Sequence, residues 1–167
     1  MGLGKSASAL ALAASGGKCL VIICPVSVKY NWVNELEICG WSRERSLVID
    51  GPQKRREKQF ARLNESQVVI VNYDLLAYLK PDQFNALRKF VDDQFLILDE
   101  SHYVKDRKAG RTQLVTQFEP KDIVLLPGTP VRNTIADLYS QLMLISPGLW
   151  TNFWEFQDRY LVMEKMR

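Results

Sequence analysis

Five short runs rich in Val, Ile and Leu divide the chain: Cys19-Leu20-Val21-Ile22-Ile23-Cys24, Ser46-Leu47-Val48-Ile49-Asp50, Gln67-Val68-Val69-Ile70-Val71, Phe95-Leu96-Ile97-Leu98 and Asp122-Ile123-Val124-Leu125-Leu126. Each is continuously apolar rather than alternating, which predicts strands covered on both faces. Segments of helical spacing lie between them. Ser6 to Ser15 is rich in Ala and Leu and stops at Gly16-Gly17. Val26 to Cys39 puts Val28, Trp32, Leu36 and Cys39 on one stripe. Gln53 to Leu63 carries Lys54, Arg55, Arg56 and Lys58, with Phe60 and Leu63 behind them. Asp82 to Val91 and Arg107 to Phe118 are further helices. Thr134 to Ile145 follows a good N-cap residue, Asn133, and turns Ile135, Leu138, Leu142 and Ile145 inward. Strands alternating with helices predict an α/β domain with a mainly parallel sheet flanked by helices.

Composition narrows this only a little. A chain of 167 residues suffices for one domain with a substantial core. Hydrophobic content of 47% and charged content of 25% are ordinary for a globular domain. The net charge of +3 permits a polyanionic partner without demanding one. The longest apolar run is too short to span a bilayer, so no membrane association is expected. No charged n-region leads into an apolar h-region. Cys19, Cys24 and Cys39 lack C-x-x-C spacing and read as buried thiols in a reducing compartment, cytoplasmic or nuclear.

The candidate chemistry sits at two places. Met1-Gly2-Leu3-Gly4-Lys5-Ser6 reads as the C-terminal half of a phosphate-binding loop. Glycines let backbone N–H groups approach phosphate oxygens, and a following helix N-terminus favours negative charge. Lys5 would bridge the β- and γ-phosphates and the Ser6 hydroxyl would ligate magnesium. A flexible glycine-rich terminus is the competing reading, weakened by the helix that follows at once. Such a loop normally connects a strand to a helix. The strand before it is missing, so either another segment supplies it or, as expected here, the chain is a fragment beginning inside the loop.

The second place is Leu96-Ile97-Leu98-Asp99-Glu100-Ser101-His102, an apolar run ending in two adjacent acids and the chain's one histidine. Open α/β sheets bind ligands at such strand ends. Asp99 would hold magnesium, usually through water, and Glu100 would orient and deprotonate the attacking water. An ordinary polar loop is the alternative, disfavoured by the Gly-Lys-Ser loop upstream. His102 reads as a hydrogen-bonding link to a neighbouring loop.

In this order the motifs resemble helicase superfamily two, and specifically its Swi/Snf-related branch. Met1 to Ser6 resembles motif I, and Cys24-Pro25-Val26-Ser27-Val28-Lys29-Tyr30-Asn31-Trp32-Val33-Asn34-Glu35 resembles motif Ia. Val69-Ile70-Val71-Asn72-Tyr73-Asp74-Leu75-Leu76 is similar to the next strand-and-turn motif. Asp99-Glu100-Ser101-His102 resembles motif II, and Leu126-Pro127-Gly128-Thr129-Pro130-Val131-Arg132-Asn133 resembles motif III. Asp137 to Leu142, Ser146-Pro147-Gly148, Phe153 and Phe156 also match, so the likeness covers nearly the whole chain. The Asp-Glu-Ser-His form followed by Tyr103-Val104-Lys105 is most similar to the subgroup of annealing helicases and their bacterial and phage relatives. Two departures stand out: Ser6 replaces Thr but keeps the hydroxyl, and Pro127 replaces Ser or Thr and removes a backbone donor.

The resemblance implies one RecA-like, ATP-binding helicase lobe over residues 1–167, the first of two lobes in a longer protein. ATP with Mg²⁺ would bind at Gly2, Leu3, Gly4, Lys5 and Ser6, with Asp99 and Glu100 completing the near half of the site. His102, Gly128 and Thr129 would couple hydrolysis to double-stranded DNA. Ser27, Lys29, Asn31, Asn72 and Thr129 would lie near the DNA backbone. Local roles compete at each; Ser27 or Asn31 could simply cap or solvate a helix, and Trp32 reads better as a core aromatic. The basic run Lys54 to Lys58 fits phosphate contact and a solvated face about equally. Arginines from the second lobe, worth roughly 10³ to 10⁵ in rate, would complete the site. An RNA helicase lobe, a non-motor P-loop enzyme and a non-catalytic module derived from such a lobe remain as alternatives.

Overall fold

The computed structural model describes residues 4–16, 19–92, 94–106, 108–128, 136–146, 148–149 and 152–160. Gly2, Leu3, Thr129, Asn133 and Ile135, all singled out above, lie outside these residues, as do Gly17, Arg107 and Pro147. Helix α1 (Lys5–Ser15) comes first, then β1 (Leu20–Cys24), a 3-10 turn (Val26–Val28) and α2 (Lys29–Ile38). Next come β2 (Ser46–Val48), α3 (Gln53–Ala61), β3 (Val68–Asn72), a 3-10 segment (Tyr73–Tyr78) and α4 (Pro81–Val91). Strand β4 (Phe95–Asp99), a 3-10 turn (Ser101–Val104), α5 (Gly110–Val115), β5 (Asp122–Leu126), α6 (Ala136–Ile145) and α7 (Phe153–Tyr160) complete the order. All five expected strands form.

They make one parallel sheet in the order β2-β3-β1-β4-β5. The connection from β1 to β2 runs one way along the sheet, and the next three run the other way. Right-handed crossovers then place α2 on one face and α3, α4 and α5 on the opposite face. The packing agrees. Ala9, Leu10 and Ala13 of α1 and Trp32, Val33 and Leu36 of α2 bury against Leu20, Ile22, Val68, Ile70, Phe95 and Ile97. Leu63, Leu87, Val91, Val115 and Phe118 bury against Val21, Ile23, Val69, Val71, Leu96 and Leu98. Successive strand residues therefore face opposite cores, which is why each run had to be apolar throughout. Ile22, Ile70 and Ile97 stand side by side in register with no exposed surface. Burying each contributes about 1.5–3 kcal/mol.

The structure corrects the pattern in several places. The helix expected from Val26 begins as a 3-10 turn and becomes α-helical at Lys29. Its stripe holds at Trp32 and Leu36 but fails at Cys39, which is exposed at the α2 C-cap. Cys24 is buried and Cys19 half-buried, so the buried-thiol reading is right for one cysteine of three. The helix expected over Arg107 to Phe118 is helical over Gly110–Val115. In α6, Tyr139 is buried while Ile145 is 49% exposed. Phe153 and Phe156, both from α7, pack on Tyr139, with ring centroids 5.1 and 5.2 Å away. Helix α7 itself had no expectation in the pattern.

Candidate functional site

The carboxyl ends of β1, β3, β4 and β5 lie together along one edge of the sheet, and β1, where the strand order reverses, sits at its centre. That is where an open α/β sheet makes its crevice. Gly4 precedes α1 with φ 71°, a left-handed conformation that glycine adopts without strain. Lys5 and Ser6 open the helix, both half-buried. No acidic residue occupies the first turn of α1, so the positive end of its dipole is unopposed there. Lys5 Nζ donates to the carbonyl of Pro127, 3.1 Å away. Proline 127 thus lacks an N–H but offers the carbonyl acceptor that receives the Lys5 ammonium.

Strand β4 ends at Asp99, opposite Leu126 of β5. The Asp99 carboxylate is held at both oxygens. Trp32 Nε1 donates to Oδ2 at 2.9 Å, and the Glu100 backbone N–H donates to Oδ1 at 2.9 Å. Tyr73 Oη donates to the Asp99 carbonyl at 2.8 Å. Burial pushes the Asp99 carboxyl up from its ordinary value; the bonds from Trp32 and Glu100 N–H and the charge of Lys5 work against this, while the Glu100 charge adds to it. Burial, with the Asp99 charge, also drives the Tyr73 phenol well above its usual range, so it remains an O–H donor. Cys24, at the end of β1, is pushed up to about 12 by burial and by Asp99. It is a neutral thiol, not a nucleophile.

Glu100 has φ 49° and ψ 49° and is the one non-glycine with positive φ among the described residues. A left-handed non-glycine backbone costs on the order of 1–2 kcal/mol. It turns the side chain toward β5, where Oε2 accepts the Gly128 N–H at 3.1 Å. His102 Nδ1 lies 3.1 Å from the same oxygen. A Cβ at Gly128 would sit 2.6 Å from Oε2, so any other residue here would push the Glu100 carboxylate aside. His102 and Gly128 meet through Glu100: the link toward motif III that the sequence assigned to the histidine runs by way of the acid.

Behind the site, Ser101 is fully buried and its Oγ donates to Gln141 Oε1 at 3.1 Å. Ser140 Oγ donates to the Lys105 carbonyl at 2.6 Å. Serine at 101 therefore anchors the turn after Asp99-Glu100 to α6. Tyr103 stacks on Tyr73 with centroids 5.5 Å apart.

The residues assigned to the nucleic-acid face divide. Ser27 and Asn31 are exposed, beside the C-terminal end of β1. Asn72 ends β3 and is 7% exposed. Lys29 is buried instead, with Nζ 3.7 Å from Asp50 Oδ2, so its charge is already engaged. Thr129 lies outside the described residues, as do Gly2 and Leu3. Lys5, Asp99, Glu100, His102 and Gly128 are brought together. The pattern missed Trp32 and Tyr73: Trp32 is a core aromatic, as read, but it also hydrogen-bonds the principal acid. Its polar N–H on an otherwise buried face was the signal available.

The donor set suits magnesium bound with a nucleotide. Asp99 is a hard, half-buried carboxylate whose charge a cation would stabilise, and Ser6, at the start of α1, would offer a hydroxyl. Among the described residues no cluster of three or more His, Cys, Asp and Glu encloses an ion. A magnesium ion here would rely on phosphate and water oxygens as well.

Parallel sheet, helix-opening lysine, strand-end acid pair and glycine contact together define a RecA-like lobe of the helicase-type ATPases. The SNF2-related domain family matches residues 1–166, and the chain belongs to that family. It is 35% identical over 164 residues to the Caenorhabditis elegans homolog of SWI/SNF-related matrix-associated actin-dependent regulator of chromatin subfamily A-like protein 1, covering 96% of this chain and 23% of that protein. It is also 35% identical over 156 residues to Helicase SWR1 of Eremothecium gossypii, covering 88% of this chain and 10% of that one. The Sulfolobus solfataricus SWI2/SNF2 ATPase core, solved in complex with dsDNA, superimposes with a TM-score of 0.78 at 25% identity, covering 96% of this chain and 33% of that chain. The chain thus spans at most about a quarter of the curated relatives named here. Among the described residues no helix is long and apolar enough to cross a membrane.

Proposed function

We propose that this chain is the ATP-binding first lobe of a double-stranded DNA translocase, hydrolysing ATP when a second RecA-like lobe closes on it. One observation carries the reading. Glu100 Oε2 is shared by Gly128 N–H and His102 while Lys5 holds the neighbouring Pro127 carbonyl, so the phosphate-loop lysine and the water-activating acid are both tied to the segment after β5. Displacing Lys5 onto phosphate would free that segment, and the segment in turn bears on Glu100. Lys5, with the Gly4–Ser6 backbone, would bind the phosphates, and Ser6 and Asp99 would hold magnesium, which supplies charge neutralisation at the phosphates. Glu100 would orient the attacking water and take its proton. Ser27, Asn31, Asn72 and Thr129 would face the DNA backbone. The family, and the dsDNA complex of the Sulfolobus core, support the choice of duplex DNA. The compartment would follow the DNA, nuclear in a eukaryote and cytoplasmic in a bacterium or phage-infected host.

The test is ATP turnover with and without duplex DNA. In the two-lobe motor, Lys5→Ala and Glu100→Gln should each remove DNA-stimulated turnover; normal turnover in either refutes the site. The 167-residue chain alone should bind nucleotide weakly and turn over negligibly. DNA-stimulated hydrolysis by it alone would overturn the need for a second lobe, and stimulation by RNA instead of DNA would move the motor to the RNA helicases.

A further inference from the structure

Asp99 is gripped from two neighbouring strands' trailing segments. Trp32 reaches it from α2, which follows β1, and Tyr73 reaches it from the 3-10 segment that follows β3. The order β3-β1-β4 puts both segments on one side of β4, at the same edge of the sheet. The two grips differ. Trp32 donates to a carboxylate oxygen, whereas Tyr73 donates to the backbone carbonyl. Both aromatics are nearly inaccessible, at 3% and 1% exposure, so neither can swing away without opening the core. Each carboxylate oxygen accepts about two hydrogen bonds or ligands. With Oδ2 taken once by Trp32 and Oδ1 once by Glu100 N–H, the carboxylate plane is fixed and each oxygen keeps one free position.

We propose that Trp32 and Tyr73 are positioning residues that hold the Asp99 carboxylate in the orientation that binds magnesium. This rests on the reading of the site as a Mg·nucleotide site. It also separates Trp32 from Trp41, which is packed against the apolar core. A neutral indole N–H on a carboxylate is a charge-assisted bond and directional. Replacing the indole by phenyl keeps an apolar ring in the core but leaves the carboxylate held at Oδ1 alone. Replacing Tyr73 by Phe removes only the hydroxyl that pins the Asp99 carbonyl.

The test uses the 167-residue chain with Mg²⁺ and ADP as the probe, followed through the four ¹⁵N-labelled tryptophan indoles. The Trp32 Nε1–H resonance, assigned by Trp32→Phe or by elimination from Phe variants of the other three, should move on adding Mg·ADP and stay with ADP in EDTA. The Mg²⁺ midpoint for ADP binding should rise about ten-fold in Trp32→Phe, the weight of one such bond. Tyr73→Phe should raise it by a smaller factor, and Trp41→Phe should leave it alone. An unmoved Trp32 resonance on Mg·ADP binding overturns the proposal. So does a Trp32→Phe protein with lowered melting temperature but a wild-type Mg²⁺ midpoint. If Trp32→Phe does not fold, the wild-type resonance and Tyr73→Phe decide. Failure of the wild-type chain to bind ADP at any Mg²⁺ concentration would instead defeat the nucleotide-site reading, and this proposal with it.

Discussion

Asp50 and Asp99 follow or end strands at the same edge of the same sheet, Asp50 buried and Asp99 half-buried, and their surroundings oppose each other. Asp50 receives the Tyr30 hydroxyl at 2.5 Å on Oδ2, with Lys29 Nζ at 3.7 Å from the same oxygen. Arg55 lies 3.1 Å from Oδ1, and Gln59 Nε2 donates to it at 3.4 Å. Burial alone would raise this carboxyl, but the Tyr30 bond, Lys29, Gln59 and Arg55 outweigh it and the net shift is downward. At Asp99 burial wins, because its partners are a neutral indole and a backbone amide, with Lys5 the smallest contributor. Asp50 is an acid whose counter-charges come from its own chain. Asp99 is an acid left short of positive charge. The opposite directions of the two shifts follow from that difference in nearby positive charge.

The largest contrast should be in turnover. Asp99→Asn should lower ATP hydrolysis by the two-lobe motor by about 10²–10⁴, the range for losing a principal catalytic group. Asp50→Asn should leave turnover per folded molecule near normal. A comparable loss from Asp50→Asn would end the distinction.

Stability should reverse the ranking. Asp50→Ala leaves the Lys29 ammonium buried and unpaired, and should cost about 3–5 kcal/mol in urea denaturation. The double change Lys29→Met with Asp50→Leu should recover most of it. A single-variant loss below about 1 kcal/mol would show the pair to be solvated.

The pH dependence should differ in sign. The Asp50 folded-state pKa lies below its ordinary value of 3.8, so its contribution is complete above that value and is lost as pH falls through the folded pKa. The Asp99 pKa is raised, so the folded state favours its protonated form and stability is lost as pH rises through the folded value. The difference in unfolding free energy between wild type and Asp50→Asn should therefore shrink on acidification, while that for Asp99→Asn should grow in favour of wild type. Parallel curves from about pH 7 to about pH 3 would remove the electrostatic basis of the comparison.

The smallest effect belongs to the contact between Glu100, the neighbour of Asp99, and the segment after β5. Gly128→Ala places a Cβ 2.6 Å from Glu100 Oε2 and should cost about 1–3 kcal/mol of strain or shift the acid aside. Because the side-chain end can move, turnover should fall more than melting temperature does. A melting change without a turnover change would make the contact merely structural.

Most of the sheet and half of the site were legible along the chain, for one physical reason: both depend on local pattern. A strand buried on both faces must be continuously apolar, and a phosphate loop or strand-end acid pair is a contiguous string. What escaped depends on partners far apart in sequence. Trp32 and Asp99 are separated by 67 positions, and nothing near Trp32 reveals that its N–H ends on a carboxylate. Lys29 reads as a residue near the DNA backbone until Asp50, on another strand's trailing loop, claims it. Cys39 and Ile145 sit at helix ends, where an apolar stripe runs off the core. Helix α7, whose rings pack on Tyr139, did have a start signal in Asn152 with Glu155 three residues on; Asn152 Oδ1 accepts the Trp154 N–H at 2.9 Å.

The parallel register of β4 and β5 bears on how this lobe can change over evolutionary time. Asp99 pairs with Leu126, so Glu100 and Pro127-Gly128 emerge one step past the same rung. Side-chain identity in either strand can drift as long as it stays apolar. A single-residue insertion or deletion inside Asp122–Leu126 cannot be absorbed so easily, because it would reverse every side chain beyond it and carry Gly128 away from Glu100. Length variation among descendants should therefore collect in the connection before Asp122, leaving the strand and the two residues after it fixed in length even where their letters differ.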